Sequence, residues 1–136
     1  MFKKETVELF PAVRGQLTYN GKPLVGIKLK RSYEFIDITD GEIHDYTTTD
    51  SEGRFSFPEL TMQSRHANNP LRTNVIWQGI RVDDQQVNTQ KDEIYLWDAN
   101  SRGVTHNSYF SEMLSELNCD LANDLSLIHI SEPTRH

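Results

Sequence analysis

His44, His66 and His106 are the imidazoles through which this chain could hold a metal or move a proton, and they are scattered along it. Asp37, Asp40, Asp45, Asp50 and Glu52 cluster in sequence, and calcium takes about six to eight oxygen ligands. The Asp-x-[Asp/Asn]-x-[Asp/Asn]-Gly spacing of a calcium loop is missing, however, and Asp50-Ser51-Glu52-Gly53 reads more simply as a tight turn. Asp83 and Asp84, with Asp92 and Glu93, read as a solvated loop. Ser64 lies close to His66, but neighbours so near in sequence do not by themselves make a triad, and no Gly-x-Ser-x-Gly elbow occurs. Cys119 falls on the apolar side of Leu117-Asn118-Cys119-Asp120-Leu121. Asp120 beside it has the wrong sign to favour a thiolate, so Cys119 reads as a small buried hydrophobe. No phosphate loop and no zinc spacing appears. The sequence therefore offers no catalytic, cofactor-binding or metal-ligating set, and the expected cofactor is none.

Two features remain for recognition. Arg65, His66, Asn68 and Asn69 form a polar stretch without periodicity, and a loop held on a rigid scaffold is a common place for a recognition surface. Plain mobility is the equal alternative. Trp77 and Trp97 could stack on a ligand, but both lie in segments apolar on both faces, so core packing is the default. The net charge of -6 and pI near 5.3 argue against nucleic acid, which needs clustered Lys and Arg. The basic cluster here is Lys28, Lys30 and Arg31. There is no apolar window of about 18 residues, so no membrane span is expected. The N-terminus carries lysines with no apolar region after them, so no cleavable signal is expected either. One cysteine in 136 residues cannot form an internal disulfide and fits a reducing compartment; the expected location is the cytoplasm.

These groups hang on strands. Thr47-Thr48-Thr49 is β-branched and reads as a strand, Asp50 to Gly53 as a turn, and Phe55 and Phe57 as the buried face of the strand after it, a β-hairpin with two aromatic anchors ended by Pro58. Upstream, Val7 and Leu9 alternate with Glu8. Val13, Gly15, Leu17 and Tyr19 then alternate with Arg14, Gln16 and Thr18. Asn20-Gly21 is a type I′ hairpin signal. The return strand places Val25, Ile27 and Leu29 on one face with Lys28 and Lys30 opposite, Gly26 invites a bulge, and Tyr33 and Phe35 continue the alternation. After the polar stretch that follows Pro58, Thr73 to Val82 and Ile94 to Trp97 read as central strands. From Asn107 to Leu121 both periods fit. A short irregular or helical piece near 108–116 followed by a strand from Leu117 to Leu121 is the expectation. The fold class expected is all-β, an antiparallel β-sandwich of about seven strands.

The run Val13-Arg14-Gly15-Gln16-Leu17, then Asn20-Gly21-Lys22-Pro23-Leu24-Val25-Gly26-Ile27, then Thr49-Asp50-Ser51-Glu52-Gly53-Arg54-Phe55-Ser56-Phe57 resembles the carboxypeptidase-regulatory-like and transthyretin-like β-sandwich superfamily. The whole chain is similar to an uncharacterised bacterial family whose members start near Met1-Phe2-Lys3-Lys4 and end near Leu117-Asn118-Cys119-Asp120-Leu121. The resemblance implies the sandwich and no activity. Intradiol ring-cleaving dioxygenases of this fold hold iron with tyrosines and a His-x-His pair, which this chain lacks. The transthyretin-like hydrolases carry a Tyr-Arg-Gly-Ser that it also lacks. Residues 125–136, from Leu125-Ser126-Leu127-Ile128-His129-Ile130 onward, resemble a translated sequencing-library adapter, with a true apolar strand as the rival reading. The expected organisation is one β-sandwich domain over 1–124 and a non-native tail over 125–136. The expected function is a non-enzymatic binding or accessory module for an unknown protein partner. A small metal-dependent or hydrolytic enzyme, and a toxin-immunity or secretion-accessory protein, are the alternatives. Asn20, Gly21, Asp50, Gly53, Phe55, Phe57, Trp77, Trp97 and Cys119 are the residues expected to carry the structure.

Overall fold

Residues 4–65, 75–84, 94–103, 105, 108–122 and 129–130 are described by a computed structural model of the chain. Alternation sets the first strands, β1 (Glu5–Phe10) and β2 (Val13–Tyr19), in which Val7, Leu9, Val13 and Leu17 are buried. Asn20 and Gly21 take φ of 52° and 78°, the left-handed pair that a two-residue hairpin turn requires, and return the chain into β3 (Lys22–Pro23). The chain then leaves that ladder. Gly26 sits at φ 73° in a turn, and its N–H donates to the Thr49 carbonyl at 3.0 Å while the Thr49 N–H donates to the Ile27 carbonyl at 2.9 Å, so two residues face one and Gly26 makes the bulge its sequence suggested. Val25 is 58% exposed, off the buried face expected for it. That turn carries the chain into β4 (Lys28–Phe35), which belongs to the opposite sheet.

β5 (Ile43–Thr48) pairs antiparallel with β4, whereas β6 (Arg54–Phe57) pairs with β2. The bend between β5 and β6 is therefore an arch from one sheet to the other and not the β-hairpin read from the sequence. The residues suit both: Asp50 Oδ1 accepts the N–H groups of Glu52 and Arg54, each at 2.9 Å, and Gly53 takes φ 75°. What decides is the burial of Phe55 and Phe57, whose rings fill the space between the sheets from the β2 side.

The remaining elements are β7 (Leu60–Ser64), β8 (Val75–Val82), β9 (Tyr95–Arg102), α1 (Ser108–Ser115), β10 (Leu117–Asp120) and β11 (His129–Ile130). Among the described residues they complete three sheets: β1 with β7, a small sheet of β10, β2, β3 and β6, and a five-stranded sheet in the order β11-β9-β8-β4-β5. The fold is an all-β sandwich, and among the described residues it has one short helix and eleven strand segments where about seven strands were expected, because short pieces such as β3 and β11 each add a pairing. Pairing is not antiparallel throughout: β10 lies parallel to β2, and β11 parallel to β9.

The main core fills the space between the small and the five-stranded sheets, with Phe55, Phe57 and Leu17 from one side and Leu29, Ile80 and Trp97 from the other. Phe110 and Leu114, one helical turn apart, close it from α1. Trp97 is fully buried, edge-on to Phe110 with ring centroids 5.2 Å apart. Its indole N–H donates to Gln78 Oε1 at 3.1 Å, and Gln78 Nε2 donates to the Leu9 carbonyl at 3.0 Å, so the polar side-chain atoms of these two buried residues each have a partner. A second cluster, Val7, Leu9, Phe35 and Ile76, seats the β1–β7 ribbon on the five-stranded sheet. No helix among the described residues is long and apolar enough to cross a membrane.

Candidate functional site

β5 ends the five-stranded sheet, and among the described residues nothing pairs with its outer side. Thr49 N–H donates to the Ile27 carbonyl at 2.9 Å, which fixes the phase of the β4–β5 ladder. By the antiparallel alternation, Thr47, Asp45 and Ile43 turn their backbone groups to β4, and Thr48, Tyr46 and His44 turn theirs to the open side. Ile43 is 40% exposed and Tyr46 50% exposed, both large for solvated side chains on an edge. The Lys28 ammonium stands 4.5 Å from the centre of the Tyr46 ring, over its face.

A buried cation holds this strand in place. Arg31 is fully buried between the rings of Phe10 and Phe57, at 4.9 and 4.7 Å from their centres. Its Nε and one terminal nitrogen donate to the two oxygens of Asp45 at 2.9 and 2.6 Å, and the other nitrogen donates to the Pro58 carbonyl at 2.6 Å. The inward-pointing charge on the edge strand is thus matched by a bidentate partner. The sequence placed Arg31 in a basic cluster with Lys28 and Lys30, but it shares its face with Leu29 and Phe35 and leaves the two lysines on the other side. Its alternation with those lysines was the available signal. Tyr33, on the same strand, has its hydroxyl pKa pushed up by burial and by the nearby Asp45 charge, against the opposing pull of Arg31.

Beside β5 a groove of about 730 Å³ crosses the outer face of the small sheet. Thr47 and Thr48 form one bank, Arg54 and Ser56 of β6 and Arg14 of β2 the floor, and Glu116 and Asn118 the far end. Arg14 lies directly opposite Ser56 in the β2–β6 ladder. Arg54 approaches Glu52 at 3.6 Å with both side chains mostly in water, and Arg14 has no carboxylate within ion-pair distance among the described residues. Asp50, also on the wall, has its pKa held below the ordinary carboxylate value by the Arg54 and Glu52 backbone N–H groups. Gly15 in the floor is required by close approach: a Cβ there would lie 2.0 Å from the Leu117 carbonyl oxygen of β10.

The other residues singled out by sequence fall elsewhere. Arg65 is exposed just after β7, while His66, Asn68, Asn69 and His106 lie outside the described residues. Trp77 is on the outer face of the five-stranded sheet, its six-membered ring over Gly79 and its N–H donating to Asp98 at 2.9 Å, so it is not a core residue as Trp97 is. His44 Nδ1 lies 2.8 Å from the hydroxyl of Ser32, which is almost wholly buried. Cys119 is half-buried against the main core, less enclosed than the buried hydrophobe expected, and this burial pushes its thiol up to about 11. Asp120 accepts from the N–H groups of Gly21, Ala122 and Asn20 and from the Thr18 hydroxyl, and these bonds hold its pKa below the usual carboxylate value. It clamps the hairpin turn to β10, a role no local pattern shows. Among the described residues no three His, Cys, Asp or Glu side chains gather as a metal site.

The β2–β10 unit that frames the groove coincides with a family match: residues 13–124 fit the DUF6795 family, described as a domain of unknown function. The chain belongs to the DUF6795 family. No curated protein and no solved structure matches it. The DUF6795 match begins at the first residue of β2 and takes in β5, the arch and β10, so both the open edge and the groove lie within it.

Proposed function

We propose that this chain is a non-enzymatic binding module that takes an extended segment of a partner protein as an added strand on β5. The observation that carries the reading is the open side of β5, six residues long, with Ile43 and Tyr46 exposed on it. An unpaired row of N–H and C=O groups is matched by another extended backbone, and main-chain hydrogen bonds then supply affinity while alternate side chains supply selectivity. The Asp45–Arg31 clamp supports it further, because an edge fixed before binding loses less freedom when a strand is added. The transthyretin-like ancestry, a bacterial source and the cytoplasm belong to the same reading, supported by the Asn20–Gly21 and Asp50–Gly53 patterns and by the single cysteine. A toxin-immunity or accessory role would differ in the identity of the partner and not in the surface used.

Tyr46→Pro tests the proposal. Tyr46 directs its N–H away from β4, so proline there removes a donor from the open side and leaves the β4 ladder intact. A partner bound by the full chain should be lost by Tyr46→Pro and should protect the amides of His44, Tyr46 and Thr48 from hydrogen exchange. A partner that binds the proline variant as tightly as the original refutes it.

A further inference from the structure

The charges around the groove are unequal in their commitments, and that inequality describes the strand β5 would accept. Asp45 is consumed by Arg31, and the Asp50 carboxylate oxygen that faces its turn is consumed by two backbone N–H groups. The two arginines of the groove are not so held. Arg54 has the water-exposed Glu52 at 3.6 Å, a pair worth little, and the attraction of the Asp50 charge without an ion-pair contact to it, and Arg14 has no ion pair among the described residues. Glu116, the other carboxylate of the groove, stands at the far end, beyond β2 from β5.

A strand added to β5 lies about 4.8 Å outside it, and every second side chain points to the face that β5 shows the small sheet. Side chains on that face beside Thr47 would stand at the β5 bank of the groove, whose lining includes the hydroxyl residues Thr47, Thr48 and Ser56 and the guanidinium of Arg54. A carboxylate there would take the charge-assisted bonds that neither arginine now makes, and Arg14 lies one strand further in for a second. We infer that the segment recognised by β5 is an acidic extended peptide, carrying an Asp or Glu whose carboxylate enters the groove between Thr47 and Arg54. This rests on the strand-addition reading and specifies the partner's chemistry.

The probe is a displayed library of random dodecapeptides selected on the full chain, with the enriched sequences made synthetically and measured by fluorescence anisotropy. Peptides that need the open edge should lose binding to Tyr46→Pro and to Thr48→Pro, two variants of the same outward backbone row whose folding is checked by circular dichroism. Those peptides should carry Asp or Glu in alternation with apolar residues. Replacing the acid by Asn or Gln should weaken binding about tenfold, as should Arg54→Gln, while the two changes together should weaken it little more than either alone. Arg14→Gln should reduce the salt dependence. Edge-dependent peptides with no acidic preference, and equal affinity for Arg54→Gln, overturn the inference and leave strand addition standing. Peptides indifferent to both proline variants overturn strand addition as well.

Discussion

Removing Asp45 should destabilise the protein more than removing Asp45 and Arg31 together. In Asp45→Ala the guanidinium stays fully buried between Phe10 and Phe57, loses both oxygens that its Nε and one terminal nitrogen address, and keeps the Pro58 carbonyl alone. Breaking a buried pair from one side costs about 3–5 kcal/mol, because a charge remains without its counterion. The Asp45 side chain is 37% exposed, so water can reach part of the vacated space, and about 2–4 kcal/mol is the expected loss. In Arg31→Met with Asp45→Ala the charge is gone. The methionine can fill the slot between the two rings, where sulfur–aromatic contact is favourable, and only the Pro58 carbonyl loses its donor, for about 1–2 kcal/mol. Urea denaturation decides between them: with a slope of about 2 kcal/mol per molar, a loss of about 2–4 kcal/mol in the single variant lowers the midpoint by about 1–2 M. The double variant should recover part of that fall. A single variant within about 0.5 kcal/mol of the original, or a double variant less stable than Asp45→Ala, refutes the account of Arg31 as a buried charge held by one carboxylate.

Phe55→Ala, which empties a 5%-exposed site facing Gly15 and the inter-sheet core, should cost about 3–5 kcal/mol in the same denaturation experiment. Asp120 has a folded pKa depressed by its four bonds, so its contribution is present above the unfolded value and is lost as pH falls through the folded one. The melting temperature of Asp120→Asn should therefore lie below the original at neutral pH, and the gap should close as the pH is taken below about 4. A gap unchanged down to the acid limit would show that the carboxylate charge is not what stabilises the turn. Cys119, with its thiol near 11, should resist iodoacetamide at neutral pH in the folded protein and react once urea unfolds it; equal labelling rates in both states would contradict its burial.

What the sequence revealed was what neighbouring residues decide. Val13 to Tyr19 alternates cleanly and is a strand; Asn20-Gly21 needs only its own φ values to be a turn; Phe55 and Phe57 are buried because their neighbours Arg54 and Ser56 are not. Phe110 and Leu114 fit a helix while Leu117 and Leu121 fit a strand, and the structure uses both patterns in turn, breaking at Glu116. What stayed hidden was partnership at a distance. The bend at Asp50 to Gly53 has the same chemistry whether it joins strands of one sheet or crosses to another, and only the pairing of β6 with β2 separates the cases. That Ile43 to Thr48 lies at an edge is a property of the whole sheet order, and the buried place of Arg31 depends on rings from β1 and β6. The polar stretch read equally as a recognition surface or a mobile loop, with Arg65, His66, Asn68 and Asn69, enters the described residues only at Arg65, so the groove between Thr47 and Arg54 was found from geometry alone.

The Thr18–Asp120 bond joins residues 102 positions apart, across the β2–β10 ladder. During synthesis at about 5–20 residues per second, β2 leaves the ribosome some seconds, about 5–20, before the strand that completes its sheet exists. Throughout that interval the unfilled side of β2 is an adhesive surface on a nascent chain, open to wrong partners until β10 arrives.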